Sequence, residues 1–156
     1  NGANDLSSHC EVIEAGIKQY FDAYKDLRVI AEPGRFIVGD AGIIQSEITL
    51  ISKKSADSQR RWVFLDIGLF GGLIETLNES IQYRFRTPYE GGPTGPVVIA
   101  GPTCDEVGVL YDSAAYELPL AMVPGDKIDI LSTGAYTASY SAVGFNGFPP
   151  LKEYYI

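Results

Sequence analysis

At 156 residues the chain has room for one ordinary domain, or for a small domain with part of another. Hydrophobic residues make up 46% and charged residues 21%, the balance of a packed globular protein and not of a disordered one. The 12 Lys and Arg against 20 Asp and Glu leave a formal charge of -8, which argues against a nucleic-acid or anionic-membrane surface, because both need clustered positive charge. Cys10 and Cys104 are too few and too separate for a disulfide framework, so a reducing, cytoplasmic compartment is expected. No apolar run approaches the ~20 residues needed to span a bilayer, and no secretory segment opens the chain. Its first residue is Asn1 and not Met, which predicts a piece of a longer polypeptide.

In chain order, residues 8–25 read as a helix. Ser8 and Glu11 make an S-x-x-E capping box, and Ile13, Ile17, Tyr20, Phe21 and Tyr24 recur at helical spacing on one face. "LRVIAEPGR" reads as a short buried strand ending in a Pro-Gly bend, and helix, strand and loop in that order are a fragment of α/β architecture. After Arg35 the character changes. "RFIVGDAG" predicts two helical turns; "IIQSEITLISKK" then runs extended, with Ile44, Ile48 and Leu50 on one face. A polar turn over 55–59 follows, and "RWVFLDIG", "IQYRFRT", "GPVVIAGP" and "DKIDILST" are β-rich runs bounded by Gly and Pro. "VPGDK" predicts a turn, and "EGGPTGP" a loop that no central strand would tolerate. The expected fold is therefore mainly β: residues 43–156 as an antiparallel β domain, barrel- or sandwich-like, and residues 1–42 as the terminal helix–strand piece of an α/β barrel.

Three stretches carry candidate chemistry. In "EPGR", Pro33 pushes Glu32 into an extended conformation and Gly34 allows a ligand close to the backbone. Arg35 starts a helix, where an anion such as phosphate is favoured; the plainer reading is a Glu–Arg surface pair on a turn. In "GPTCD", Gly101 and Pro102 end a strand and leave Cys104 and Asp105 at an element terminus. An unpaired Cys is ordinarily a small buried hydrophobe. A neighbouring carboxylate disfavours the thiolate, so a functional Cys104 would deliver a proton sooner than attack as a nucleophile, and Asp105 would pair an ammonium. "GAYTASYSAVGFNGF" mixes small residues with Tyr136, Tyr140, Phe145 and Phe148, a pattern that packs a core corner or, through Tyr136, donates to a phosphate. His9 is the sole histidine and lies at the start of a helix, which argues against a Ser-His-Asp triad and a His-based zinc site. "GLFGG" is neither a dinucleotide fingerprint nor a Walker loop.

"AEPGR", "GPTCD" and "GAYTASYS…FNGF", in that order, resemble the fold-type III pyridoxal-phosphate decarboxylases, the ornithine decarboxylase family. The resemblance runs over essentially the whole chain, including "RWVFLDIG" and "PPLKEYYI", and "GLFGGLIETLNESIQYRFRTP" and "VGFNGFPPL" look like its bacterial ornithine decarboxylase branch. It implies an eight-stranded α/β barrel with a β domain beside it, joined head to tail into a homodimer whose active sites draw on both subunits. By motif, Glu32 would pair with the pyridine nitrogen of pyridoxal 5'-phosphate, and Gly34, Arg35 and Tyr136 would hold its phosphate. Cys104 would reach into the partner's site and reprotonate the α-carbon after carbon dioxide leaves, while Asp105 would accept the distal ammonium of a diamino acid. Phe145 would line that pocket, although it stands one residue further from Tyr136 than in animal members. Counting forward from "DIGLF" brings the second substrate acid to Asn78 or Glu79, of which Glu79 is the candidate.

Diaminopimelate decarboxylases carry Glu and Ser after this cysteine, so the resemblance implies a simple diamine product, with ornithine (to putrescine) ahead of lysine. The family's Schiff-base lysine has no counterpart: Lys18 and Lys25 lie on the helix, and Lys53 and Lys54 end a strand. The expectation is thus the carboxyl-terminal part of the enzyme, inactive alone, which associates with the missing amino-terminal barrel half or with another copy of itself. The rivals are a lysine or dual lysine/ornithine decarboxylase, a non-catalytic homologue acting as a binding partner, and a β-rich interaction module.

Overall fold

The computed structural model describes residues 6–156, so Asn1 lies outside the described residues. The chain forms two compact units, the first ending at Glu32 and the second spanning Pro33–Ile156. In the first, helix α1 covers Leu6–Phe21 and buries none of its residues. Ser8 lies inside this helix, so the predicted capping box does not begin it, and the helix stops at Phe21, short of residue 25. Lys18 sits in the last turn, where a cation meets the negative end of the helix dipole. The expected strand over "LRVIA" is not formed, and Val29 and Ile30 are exposed. A strand exists only where another backbone takes its N–H and C=O groups, and the unit provides no such ladder.

The second unit opens with Gly34 at φ 49, a conformation suited to glycine, and with the predicted turns: α2 (Arg35–Val38) and a 3₁₀ turn over Gly39–Ala41. Seven strands follow: β1 (Ile43–Ser52), β2 (Arg61–Leu65), β3 (Phe85–Arg86), β4 (Thr94–Ala100), β5 (Val109–Tyr111), β6 (Glu117–Pro119) and β7 (Lys127–Leu131). They make one sheet in the order β3-β7-β1-β2-β4-β5, with β6 paired to β4. The fold is mainly β, as expected. One pair departs from the antiparallel expectation: β2 and β4 run parallel, Trp62 opposite Val98. Parallel neighbours need a long crossover, and residues 66–93 supply it. That crossover also carries much of the candidate site.

Two local departures have clear causes. In β1 the pairing with β2 slips between Ile48 and Leu50, so that Ile48 is 0% exposed and Leu50 49%. The slip is a bulge at Thr49, whose Oγ1 donates to the Phe64 carbonyl at 3.1 Å. Ile51, and not Leu50, therefore joins Ile44 and Ile48 against the core. In β4, Pro96 stands inside a strand although "EGGPTGP" reads as a loop. It is tolerated because β2 pairs β4 only from Val97 onward, so Pro96 has a neighbour on the β6 side alone and needs no second ladder donor.

The core lies among Ile48, Val63, Leu65, Val97, Ile99 and Ile130, each essentially inaccessible to solvent. Burying each such side chain stabilises the fold by about 1.5–3 kcal/mol. Residues 33–42 belong to this unit because their backbone is welded to the end of β7: Gly134 N–H donates to Gly39 O at 2.8 Å and Thr133 N–H to Gly42 O at 2.9 Å. A Cβ on Gly134 would come within 1.8 Å of the Val38 carbonyl oxygen. The unit thus starts ten residues before the position 43 read from the sequence, since the small residues that allow this crossing lie far apart in the chain.

Candidate functional site

The "GPTCD" segment leaves β4 through a close crossing of two glycines. A Cβ on Gly101 would lie 2.5 Å from the Gly68 Cα, so the crossover loop after β2 and the loop after β4 touch backbone to backbone. The loop is then closed on itself, Gly101 N–H donating to Gly108 O at 2.8 Å and Gly108 N–H to Asp105 O at 2.9 Å. Asp105 caps the turn, its Oδ1 accepting the Val107 N–H at 3.0 Å, which leaves Oδ2 for another donor. Within this frame Cys104 is exposed and held at φ 51, a conformation few non-glycine residues adopt. Its neighbour Thr103 is buried; Asn146 Nδ2 donates to the Thr103 carbonyl at 2.8 Å, while Thr103 Oγ1 has no partner. Phe145 stacks on Phe70 with ring centres 3.9 Å apart, and both line a cavity of about 260 Å³ with Asp66, Thr103 and Lys152. Cys104, Asp105 and Phe145 are therefore brought to one end of the sheet by the crossing at Gly68 and by the Asn146 tether.

Arg35 and Tyr136 meet in a second cluster. The Arg35 Cζ lies 5.2 Å from the centre of the Tyr136 ring, a cation–π distance, and Tyr136 is held at φ 56. Arg35 Nη2 is also bound by the Glu75 carboxylate, and the pair is about one quarter to one third exposed (32% and 25%). The hydrogen bond that Arg35 donates to the Glu75 carboxylate raises the Arg35 pKa above its already high value. Tyr83 completes the cluster: its hydroxyl is buried, and burial raises its pKa against the opposing pull of the neighbouring Arg35. Glu75 and Tyr83 were not singled out from the sequence. The signal available was chemical: an arginine on a half-buried helix start requires a carboxylate, and the acidic crossover "IETLNE" is the supply.

Glu79 stands elsewhere. Its carboxylate accepts three backbone N–H groups, from Asp112 at 2.8 Å, Ser113 at 2.7 Å and Ala114 at 2.6 Å. Burial works to raise its pKa, but those three donors together outweigh it and hold the carboxyl below its usual range. Asn78 beside it is exposed, at φ 55. Glu32 is exposed and closes the first unit. Among the described residues no group of three or more His, Cys, Asp or Glu is set to hold a metal, and no helix is long and apolar enough to cross a membrane.

The sheet unit is mainly β, sets Arg35 against the Tyr136 ring and holds an exposed cysteine at positive φ. Residues 12–134 match the family model for the C-terminal sheet domain of pyridoxal-dependent decarboxylases, and the chain belongs to this family. It is 34% identical over 145 residues to a lysine/ornithine decarboxylase of Selenomonas ruminantium, covering 92% of this chain and 34% of that protein. A diaminopimelate decarboxylase of Helicobacter pylori is 34% identical over 129 residues, covering 82% of this chain and 30% of that protein. The solved structure of lysine decarboxylase from Selenomonas ruminantium superposes with a TM-score of 0.74 at 30% identity, covering 96% of this chain and 37% of that one. The chain thus spans about a third of the length of the relatives it matches.

The cofactor of this family is pyridoxal phosphate, and the residues present fit its phosphate. Glu75 and the neighbouring Tyr83 hydroxyl engage part of the Arg35 guanidinium, and of its five N–H donors others remain for an anion, beside the partly exposed Tyr136 and the bend at Gly34.

Proposed function

We propose that the protein carrying this chain decarboxylates a diamino acid with pyridoxal phosphate, with L-ornithine preferred over L-lysine and putrescine as the product. The observation that carries this reading is Cys104: an exposed thiol, locked at φ 51 on a loop pinned by Gly68 and Asn146, next to an acid with a free oxygen. Strained backbone of this kind is retained where the surrounding structure over-determines it, and it clusters at functional sites.

Bound pyridoxal phosphate supplies an electron sink for the electron pair left when carbon dioxide departs. The residues do the rest. Glu32 accepts the N–H of the pyridine ring. Gly34, Arg35 and Tyr136 bind the phosphate. Cys104 holds a proton on Sγ and delivers it to the substrate α-carbon in the site of a partner subunit, within a head-to-tail homodimer. Asp105 Oδ2 accepts the distal ammonium, and Phe145, stacked on Phe70, packs along the methylene chain. Glu79 we assign to holding the 112–114 loop, because three backbone N–H groups already converge on its carboxylate. Two free cysteines among the described residues accord with a reducing, cytoplasmic setting.

A dual lysine/ornithine activity is the second reading, supported by the Selenomonas ruminantium relative. One methylene in a pocket discriminates by only ~1–3 kcal/mol. The test is release of labelled carbon dioxide from carboxyl-labelled ornithine and lysine by the full-length protein, with the amine product identified. Cys104→Ala is expected to lose clean amine product and about 100-fold or more in its formation, the scale of a positioned proton donor. Full-rate formation of clean amine by that variant would remove Cys104 from the chemistry. No gas from either substrate would reject the decarboxylase reading.

A further inference from the structure

We propose that Glu75 is a positioning residue for phosphate recognition: it holds Arg35 so that the open edge of the guanidinium is aimed at the anion before the anion arrives. The inference rests on the reading of Arg35 and Tyr136 as phosphate ligands and deepens it. Arginine has many rotamers, and a binding event that must freeze them loses affinity for each one fixed. Here the side chain is restrained from two directions, by the Glu75 carboxylate at Nη2 and by the Tyr136 ring 5.2 Å from Cζ. Five N–H donors lie in the guanidinium plane, so one fixed corner orients the others. The restraints themselves come from separate elements: Glu75 from the 3₁₀ segment Ile74–Glu79 of the crossover, and Tyr136 from the loop after β7. The turn that carries Glu75 is anchored by its neighbour Thr76, which is 1% exposed and whose Oγ1 donates to the Leu73 carbonyl at 2.6 Å. The buried Tyr83 hydroxyl interacts with the same guanidinium.

A competing role gives the opposite sign. If Glu75 were simply an anion occupying Arg35, its removal would free positive charge and tighten phosphate binding. The experiment titrates the full-length apoprotein with pyridoxal phosphate and, separately, with pyridoxal, which lacks the phosphate, following the absorbance of the bound ring. Glu75→Ala is expected to weaken pyridoxal phosphate by roughly tenfold while leaving pyridoxal unchanged, and Glu75→Gln, which still accepts a hydrogen bond from Arg35, to recover most of the loss. Unchanged or tighter pyridoxal phosphate binding in Glu75→Ala overturns the proposal, and so does equal weakening of both ligands, which would mark a purely structural residue. Arg35→Ala is the separate control. If it fails to reduce the preference for pyridoxal phosphate over pyridoxal, the fault lies with Arg35 as a phosphate ligand.

Discussion

Cys104, Tyr136 and Glu79 share a property that their side chains do not advertise: all three have positive φ, at 51, 56 and 55. For residues with a Cβ this conformation is sparsely populated, so each is held by its surroundings. For Glu79 the surroundings are visible, since three backbone N–H donors converge on its carboxylate. Its pKa lies below that of the unfolded chain, so its stabilisation is fully present above the unfolded value near ~4.3 and is lost as pH falls through the folded value. Glu79→Gln is therefore expected to lower unfolding free energy by about 1–2 kcal/mol at neutral pH, discounted for partial exposure. In urea titrations the gap between variant and parent should close as pH falls below about 4. A gap that persists in acid would mean that the hydrogen bonds, and not the charge, carry the effect.

At the scale of elements, β1 shows where pattern reading holds and where it slips. Period-2 alternation correctly puts Ile44 and Ile48 on the core face, but the bulge at Thr49 turns Leu50 outward and brings Ile51 in. Nothing in "EITLIS" announces the extra residue, because a bulge is a property of two strands in register and not of one. Ile48→Ala should cost ~2–5 kcal/mol and Leu50→Thr within about 0.5 kcal/mol, measured by urea unfolding; similar values at the two sites would contradict the register. Pro96 teaches the same lesson from the other side. Its ring forbids a central strand, yet β4 is central only beyond it. The missing strand at "LRVIA" is the converse: apolar composition reads as a strand, but hydrogen bonds must come from elsewhere.

Over the whole molecule, the two units differ in what holds them. The sheet unit buries a continuous core, whereas α1 buries no residue, and a 16-residue helix without tertiary packing is marginal in water. In this chain the amides of Val97, Val98 and Ile99 should exchange with solvent at least ~10³-fold more slowly than those of α1, read by hydrogen exchange. Comparable protection would show that α1 is stabilised by contacts beyond its own unit. The same division shapes the site. Arg35, Tyr136, Cys104, Asp105 and Phe145 all belong to the sheet unit, while Glu32 closes the other.

By itself the sequence determined the mainly β class, most strand positions, the two turns after Arg35 and the family, because these rest on local periodicity, on Gly and Pro punctuation and on motifs read in order. Only the tertiary structure decided the parallel β2–β4 pair, the Gly68–Gly101 crossing, and the partnership of Arg35 with Glu75 across 40 residues. Each depends on which distant segments approach within a few ångströms, and neither propensity nor pattern carries that information until the crossover over residues 66–93 has folded back across the sheet.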